Sequence, residues 1–315
     1  MEIMVAKHAG FCFGVKKAIE IAEETAARNK GKKTYVYGQL VHNERVIDDL
    51  QKRGIIFAEN IEEIPENAVT VLRAHGEPGT TYQKLRLKNI DKNNNLNDAT
   101  CPLVTLVHNV AIKLKNNGYE VIIFGKKEHP ESIGTSYHIK GKDTFIVENP
   151  EDAASVVEYI KRNNFSKVAI ISQTTMSVTG YKELIDNINR IFDDKLENLH
   201  LSLKDMSKPF VFVDTICNPT KQRQSDTEEI AKKADVMIVI GGKNSSNSKE
   251  LAAKSREFGV KTYFIQSADQ VEKEWFNGKG HIGVTAGAST PDVTINEVVS
   301  RITEITNASF FSKNL

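Results

Sequence analysis

Residues 235–260 read DVMIVIGGKNSSNSKELAAKSREFGV, and this stretch decides the fold class. Val236–Ile240 is a short apolar run, rich in β-branched side chains and too brief for a helix. It stops at Gly241–Gly242. A polar loop, Asn244-Ser245-Ser246-Asn247-Ser248, then leads into a helix over Ser248–Phe258 that Gly259 caps. A wholly apolar short strand followed by a helix is the building unit of a parallel sheet buried on both faces.

The same order recurs upstream. Cys217 opens TICNPT, ahead of a helix over Gln222–Lys233 and the strand already quoted. Cys101 lies in ATCPLV, followed by a helix over Val104–Asn116 and a strand over Glu120–Phe124 that stops at Gly125. Cys12 lies in AGFCFGV, followed by a helix from about Val15 to Arg28 and a strand over Thr34–Tyr37 that stops at Gly38. Gly38, Gly125 and Gly242 follow their cysteines at nearly equal separations. The chain has 3 cysteines, so each unit carries one. Further strands are expected at Val69–Ala74, Thr144–Val147, Val168–Ile171, Thr262–Ile265 and His281–Thr285, with a last helix near Thr294–Glu304.

The pattern predicts an α/β protein of three pseudo-symmetric lobes, with small, mostly parallel sheets around one shared central site. The expected divisions are an N-terminal strand with the first cysteine (1–13), lobe one (14–100), lobe two (101–213), lobe three (214–290) and a C-terminal segment (291–315). The polar stretches 88–98 and 190–208 read as surface decoration, the second as an insertion.

The 315-residue chain is 40% hydrophobic, enough for a sizeable core, and its formal net charge of +1 gives no argument for a nucleic-acid partner. Its apolar runs are far shorter than the roughly 20 residues that span a bilayer. The N-terminus lacks a basic head followed by a long apolar stretch, so no signal peptide and a cytoplasmic location are expected. An odd, widely spaced set of cysteines is not a disulfide framework.

Parallel sheets place ligands at the carboxyl ends of their strands. Those ends carry His42, His75 and His129, whose imidazoles suit phosphate oxygens. They carry Glu131, set by Pro130 and able to deliver a proton, and the hydroxyls of Thr174 and Thr175, suited to relay or orient that proton. Ser245, Ser246 and Asn247 head a helix as an anion cradle, and Ser289 lies in a second small-residue loop, AGASTP. His8, His108, His138, His200 and His281 read as surface or packing residues. Three thiolates from three loops suit a cubane iron–sulfur cluster with one iron open; zinc with a water ligand and three buried free thiols are the alternatives. The cubane fits best, since no close pair such as C-x₂-C is present. There is no GxxxxGK[ST] and no strand–GxGxxG–helix unit, so nucleotide and direct nicotinamide or flavin binding lack support.

The segments GFCFGV, GQLVHN, RAHG, TCPLV, HPE, SQTT, DTICNPT, GGKNSSNS and AGASTP, in this order, resemble the 4-hydroxy-3-methylbut-2-enyl diphosphate reductase family from Met1 to about Glu304. The resemblance implies one 4Fe–4S cluster per chain, held by Cys12, Cys101 and Cys217 with one iron open. It places the substrate diphosphate against His42, His75, His129, Thr174, Ser245, Ser246, Asn247 and Ser289. It gives Glu131 proton delivery and Thr174 a part in the hydroxyl network. The implied reaction is reductive dehydroxylation to isopentenyl and dimethylallyl diphosphate, the last step of the methylerythritol phosphate route to isoprenoids. A ferredoxin or flavodoxin-type electron donor goes with it; one complete cavity per chain favours a monomer, and no nucleic-acid or membrane partner is expected. Leu106 stands where many relatives carry a basic residue, and Ser-Lys-Glu follows Asn247 where Asn-Arg or similar is common. Two other readings share the same cysteines: a hydratase or dehydratase without net reduction, and an iron or redox sensor.

Overall fold

The structure is a computed structural model that describes residues 1–307 and 309–311. The end of the expected C-terminal segment 291–315 therefore lies outside the described residues. The strands are β1 (Glu2–Val5), β2 (Thr34–Tyr37), β3 (Ile55–Ala58), β4 (Val69–Leu72), β5 (Leu96–Asp98), β6 (Glu120–Phe124), β7 (Ile146–Val147), β8 (Val168–Ser172), β9 (Glu197–Asn198), β10 (Phe210–Val213), β11 (Val236–Ile240), β12 (Lys261–Ile265), β13 (His281–Ala286) and β14 (Ser309–Phe311). The helices are α1 (Phe13–Arg28), α2 (Glu44–Lys52), α3 (Gly79–Leu87), α4 (Pro102–Asn116), α5 (Pro130–Tyr137), α6 (Ala153–Asn163), α7 (Val178–Ile191), α8 (Asn218–Ala231), α9 (Ser246–Glu257) and α10 (Asp292–Thr306).

Three sheets result, ordered β12-β11-β13-β1-β14, β7-β6-β8-β10-β9 and β3-β2-β4-β5, and every pairing of these strands is parallel. This is the α/β class of small parallel sheets that the alternation of strands and helices predicts. The N-terminal strand β1 pairs with β13, Glu2 opposite His281 and Val5 opposite Val284.

The chain forms two compact units. The first comprises Met1–Lys16, Val41–Arg53 and Asn218–Leu315; the second comprises Lys17–Leu40 and Gly54–Cys217. In the first unit β11 is buried along its whole length, and Val236, Met237, Ile238 and Ile240 pack with Ile3, Val284, Ile295 and Val298. Each such side chain contributes about 1.5–3 kcal/mol on burial. In the second unit α4 lays Val107, Val110, Ala111 and Leu114 on one side of the β6–β8–β10 sheet, against Val121, Ile123 and Ile171. On the other side α6 and α7 bring Val156, Ile160, Leu184 and Ile188 to Ile122 and Ile170. Two-sided cover explains why β6 and β8 read as unbroken apolar runs rather than alternating ones. No described helix is long and apolar enough to cross a membrane.

Candidate active site

In the second unit the decisive arrangement lies at the ends of β6 and β8. Pro130 opens α5 at a position where its missing N–H costs nothing, with His129 as the N-cap. His129 Nδ1 accepts the backbone N–H of Glu131 at 3.2 Å. A ring nitrogen that accepts carries no proton, so the neutral His129 ring keeps its proton on Nε2. Glu131, one residue into the helix, is 2% exposed. Its Oε1 accepts Thr174 N–H at 2.6 Å and its Oε2 accepts Thr174 Oγ1–H at 2.7 Å. Burial pushes the Glu131 carboxyl up to about 7, against the two bonds from Thr174, which pull it down. The carboxyl thus exchanges its proton near neutrality, as a general acid requires.

His75 follows β4, and its ring meets that of His129 edge-on with centroids 5.5 Å apart. The close approach of the two loops needs glycine. Gly76 has φ +78°, a Cβ there would lie 2.7 Å from His108 Cε1, and a Cβ on Gly134 would touch the Gly76 backbone at 3.5 Å. His108 is a packing residue, as its sequence context suggests. It is buried, its ring lies tilted against that of His138 with centroids 4.4 Å apart, and burial brings its pKa down to about 4.

In the first unit Ser245 caps α9, and Ser246 and Asn247 form its first turn. Asn247 Oδ1 accepts Ala288 N–H at 3.0 Å, which ties the helix to the loop after β13. In that loop Ser289 Oγ donates to the His42 carbonyl at 3.0 Å. Ser245, Asn247 and Ser289 are all buried, so the polar loop is an organised surface rather than a solvated turn. The N-terminus of α9 with these donors suits an anion.

Each cysteine heads its own helix, α1, α4 or α8, and is pinned there by its backbone. Cys12 N–H donates to Ala288 O, Cys101 N–H to Ala74 O and Cys217 N–H to Thr174 O. All three are half-buried and none forms a disulfide. The expected 4Fe–4S cluster held by Cys12, Cys101 and Cys217 with one iron open is not supported. Among the described residues no group of three metal-ligating side chains includes Cys12, Cys101 or Cys217. The local reason is that each cysteine heads its own helix and is pinned by a different loop. The residues present do not fit the group.

Two functional side chains have no isolated sequence signal. Gln173 is buried, and its Oε1 accepts from Lys126 N–H at 3.0 Å and Ser132 Oγ–H at 3.1 Å. Its Nε2 donates to Thr175 Oγ1 at 2.7 Å, so one amide braces the loop before α5 against the end of β8. Arg223, also buried, donates to Gly10 O at 2.5 Å and Pro219 O at 2.9 Å, which fixes the loop ahead of Cys12. Position within a strand-end polar run is the available clue for Gln173; an arginine within α8 gives none.

The sequence profile of the LytB protein family matches residues 3–303. The chain belongs to the LytB family. It is 37% identical over 315 residues to the 4-hydroxy-3-methylbut-2-enyl diphosphate reductase of Aquifex aeolicus, covering 99% of both chains. It is 39% identical over 303 residues to that of Campylobacter hominis, covering 96% of this chain and 98% of the relative. Its fold matches the E-1-hydroxy-2-methyl-but-2-enyl-4-diphosphate reductase from Plasmodium falciparum with a TM-score of 0.85 at 27% identity, covering 98% of this chain and 90% of that one. A second solved structure, (E)-4-hydroxy-3-methyl-but-2-enyl diphosphate reductase, described as the terminal enzyme of the non-mevalonate pathway, matches with a TM-score of 0.62 at 36% identity. That match covers 96% of this chain and 99% of the other.

Proposed function

We propose that this LytB-family chain reductively removes the hydroxyl of (E)-4-hydroxy-3-methylbut-2-enyl diphosphate, giving isopentenyl and dimethylallyl diphosphate. The observation that carries the reading is the buried Glu131 carboxyl, tuned to about 7 and held at both oxygens by Thr174. Hydroxide is a poor leaving group, and a carboxylic acid at the C–O bond lets the oxygen depart as water. Two electrons and a second proton then enter the allyl fragment. Protonation at one end or the other gives the two products, so atoms and charge balance.

Ser245, Ser246, Asn247, Ser289 and His42 hold the diphosphate; His75 and His129 complete its recognition. Thr174 orients Glu131 and faces the reacting hydroxyl. Anchoring the remote diphosphate supplies the orientation that the small apolar C5 group cannot supply itself. The electrons come from an external low-potential donor of the ferredoxin or flavodoxin type. The enzyme acts in the cytoplasm as a monomer, in the non-mevalonate route to isoprenoids.

Anaerobic incubation with the substrate and reduced methyl viologen, followed by mass spectrometry, tests this. Both C5 diphosphates are expected. Unchanged substrate, or a diene diphosphate as the sole product, would overturn the proposal.

A further inference from the structure

The Ser245 hydroxyl has both acceptor positions occupied from within its own helix. Ser248 N–H donates to Ser245 Oγ at 3.2 Å, and Ser248 Oγ–H donates to the same oxygen at 2.9 Å. A serine hydroxyl has two lone pairs and one proton, so Ser245 is left with only its proton to offer. Ordinary capping needs the backbone donor alone; the bond from the Ser248 side chain is additional.

Ser248 is 0% exposed and its hydroxyl is confined. A Cβ on Gly287 would lie 1.9 Å from Ser248 Oγ, and one on Gly241 would lie 2.1 Å from it. The two strand ends therefore present bare backbone where that oxygen sits. Asn247 is oriented in the same sense. Its Oδ1 is occupied by Ala288 N–H, while its Nδ2, in a side chain 3% exposed, has no hydrogen-bond partner.

We propose that Ser248 is a positioning residue that keeps Ser245, beside the Asn247 amide nitrogen, a donor-only surface. Such a surface selects ligand groups that accept hydrogen bonds and carry none to donate, namely ionised phosphoryl oxygens. Ser248 acts through Ser245 and does not touch the substrate. The inference rests on the reading of this loop as the diphosphate site, and it goes beyond that reading by naming what fixes the polarity of the loop.

Calorimetric binding of inorganic pyrophosphate to the full chain tests it, with Ser248→Ala, Ser245→Ala and the double variant, each checked by circular dichroism. Freed of the Ser248 hydroxyl, Ser245 can turn one lone pair toward the anion, the other still taken by Ser248 N–H. Ser248→Ala is therefore expected to weaken binding about three- to tenfold, the net worth of one hydrogen bond, and to raise KM with little change in kcat. In the Ser245→Ala background the same change is expected to have no further effect, which a general packing role would not produce. Binding by Ser248→Ala at the wild-type level, or an undiminished effect in the double variant, overturns the positioning role. Wild-type binding by Ser245→Ala overturns the diphosphate reading beneath it. Should Ser248→Ala fail to fold, Ser248→Gly removes the same hydroxyl and takes its place in the cycle.

Discussion

Thr174 gives Glu131 two hydrogen bonds, one to each carboxylate oxygen, from its backbone nitrogen at 2.6 Å and its hydroxyl at 2.7 Å. Both favour the ionised form, yet burial outweighs them and the carboxyl titrates at about 7. A group in this balance is held in one orientation while still exchanging its proton near neutrality.

Turnover should follow that proton. Activity is expected to fall as pH rises through about 7, where Glu131 ionises. Glu131→Gln should lower kcat by about 10²–10⁴-fold with little change in KM, because an amide keeps the shape but cannot supply the proton. Steady-state kinetics between pH 5.5 and roughly 9 check both expectations; a fully active Glu131→Gln would remove the proton-donor role.

Stability carries the same signature with a definite sign. The folded carboxyl has a pKa raised from 4.5 to about 7, so between those values the folded state binds more protons than the unfolded chain. The contribution of Glu131 is intact below about 4.5 and is lost as pH rises through 7. The difference is on the order of 3 kcal/mol. Urea denaturation should show the wild type losing stability relative to Glu131→Gln across this window.

Thr174→Val removes the hydroxyl bond to Glu131 Oε2 and leaves the backbone bond in place. With less support for the carboxylate, the Glu131 pKa rises further and the alkaline limb of the pH–rate profile moves to higher pH. Loss of a hydrogen bond to a charged group, about 1.5–3 kcal/mol, corresponds to roughly a ten- to hundredfold drop in kcat. An unshifted limb would show that Thr174 does not govern this proton.

Gly283→Ala tests the packing of the first sheet. A Cβ there would lie 2.2 Å from Met237 Sδ and 2.5 Å from Ile230 Cγ2, inside the β11–β13 core. Overpacking of this kind should cost about 1–3 kcal/mol, read as a lower urea midpoint with an unchanged m-value. No loss would mean that the core yields more readily than its packing implies.

How far the sequence can be read depends on the kind of signal. β6, β8 and β11 are legible because two-sided burial makes them continuous apolar runs between helices. α3 (GTTYQKLRL) is not, since it begins at glycine and buries few side chains. α5 (PESIGTSY) is eight residues of weak helix formers around Gly134, formed by its Pro130 start, its His129 cap and the packing of Glu131 and Ser132. β5 lies inside the asparagine-rich stretch that reads as a surface loop; pairing with β4 makes it a strand. The candidate site is legible where a motif names the residue, as with Glu131 in HPES. The Glu131–Thr174 contact, the Gln173 brace and the double donation onto Ser245 depend on which strand ends and turns meet. The three cysteines show the opposite hazard: a regular repeat suggests a common ligand set, whereas among the described residues no group of three metal-ligating side chains includes a cysteine.

The central claim is that the hydroxyl is removed with net reduction. The most direct measurement is the number of electrons consumed per C5 diphosphate formed, followed anaerobically by the oxidation of reduced methyl viologen. Two electrons per product molecule is the predicted result. Product formed without consumption of reductant would contradict it.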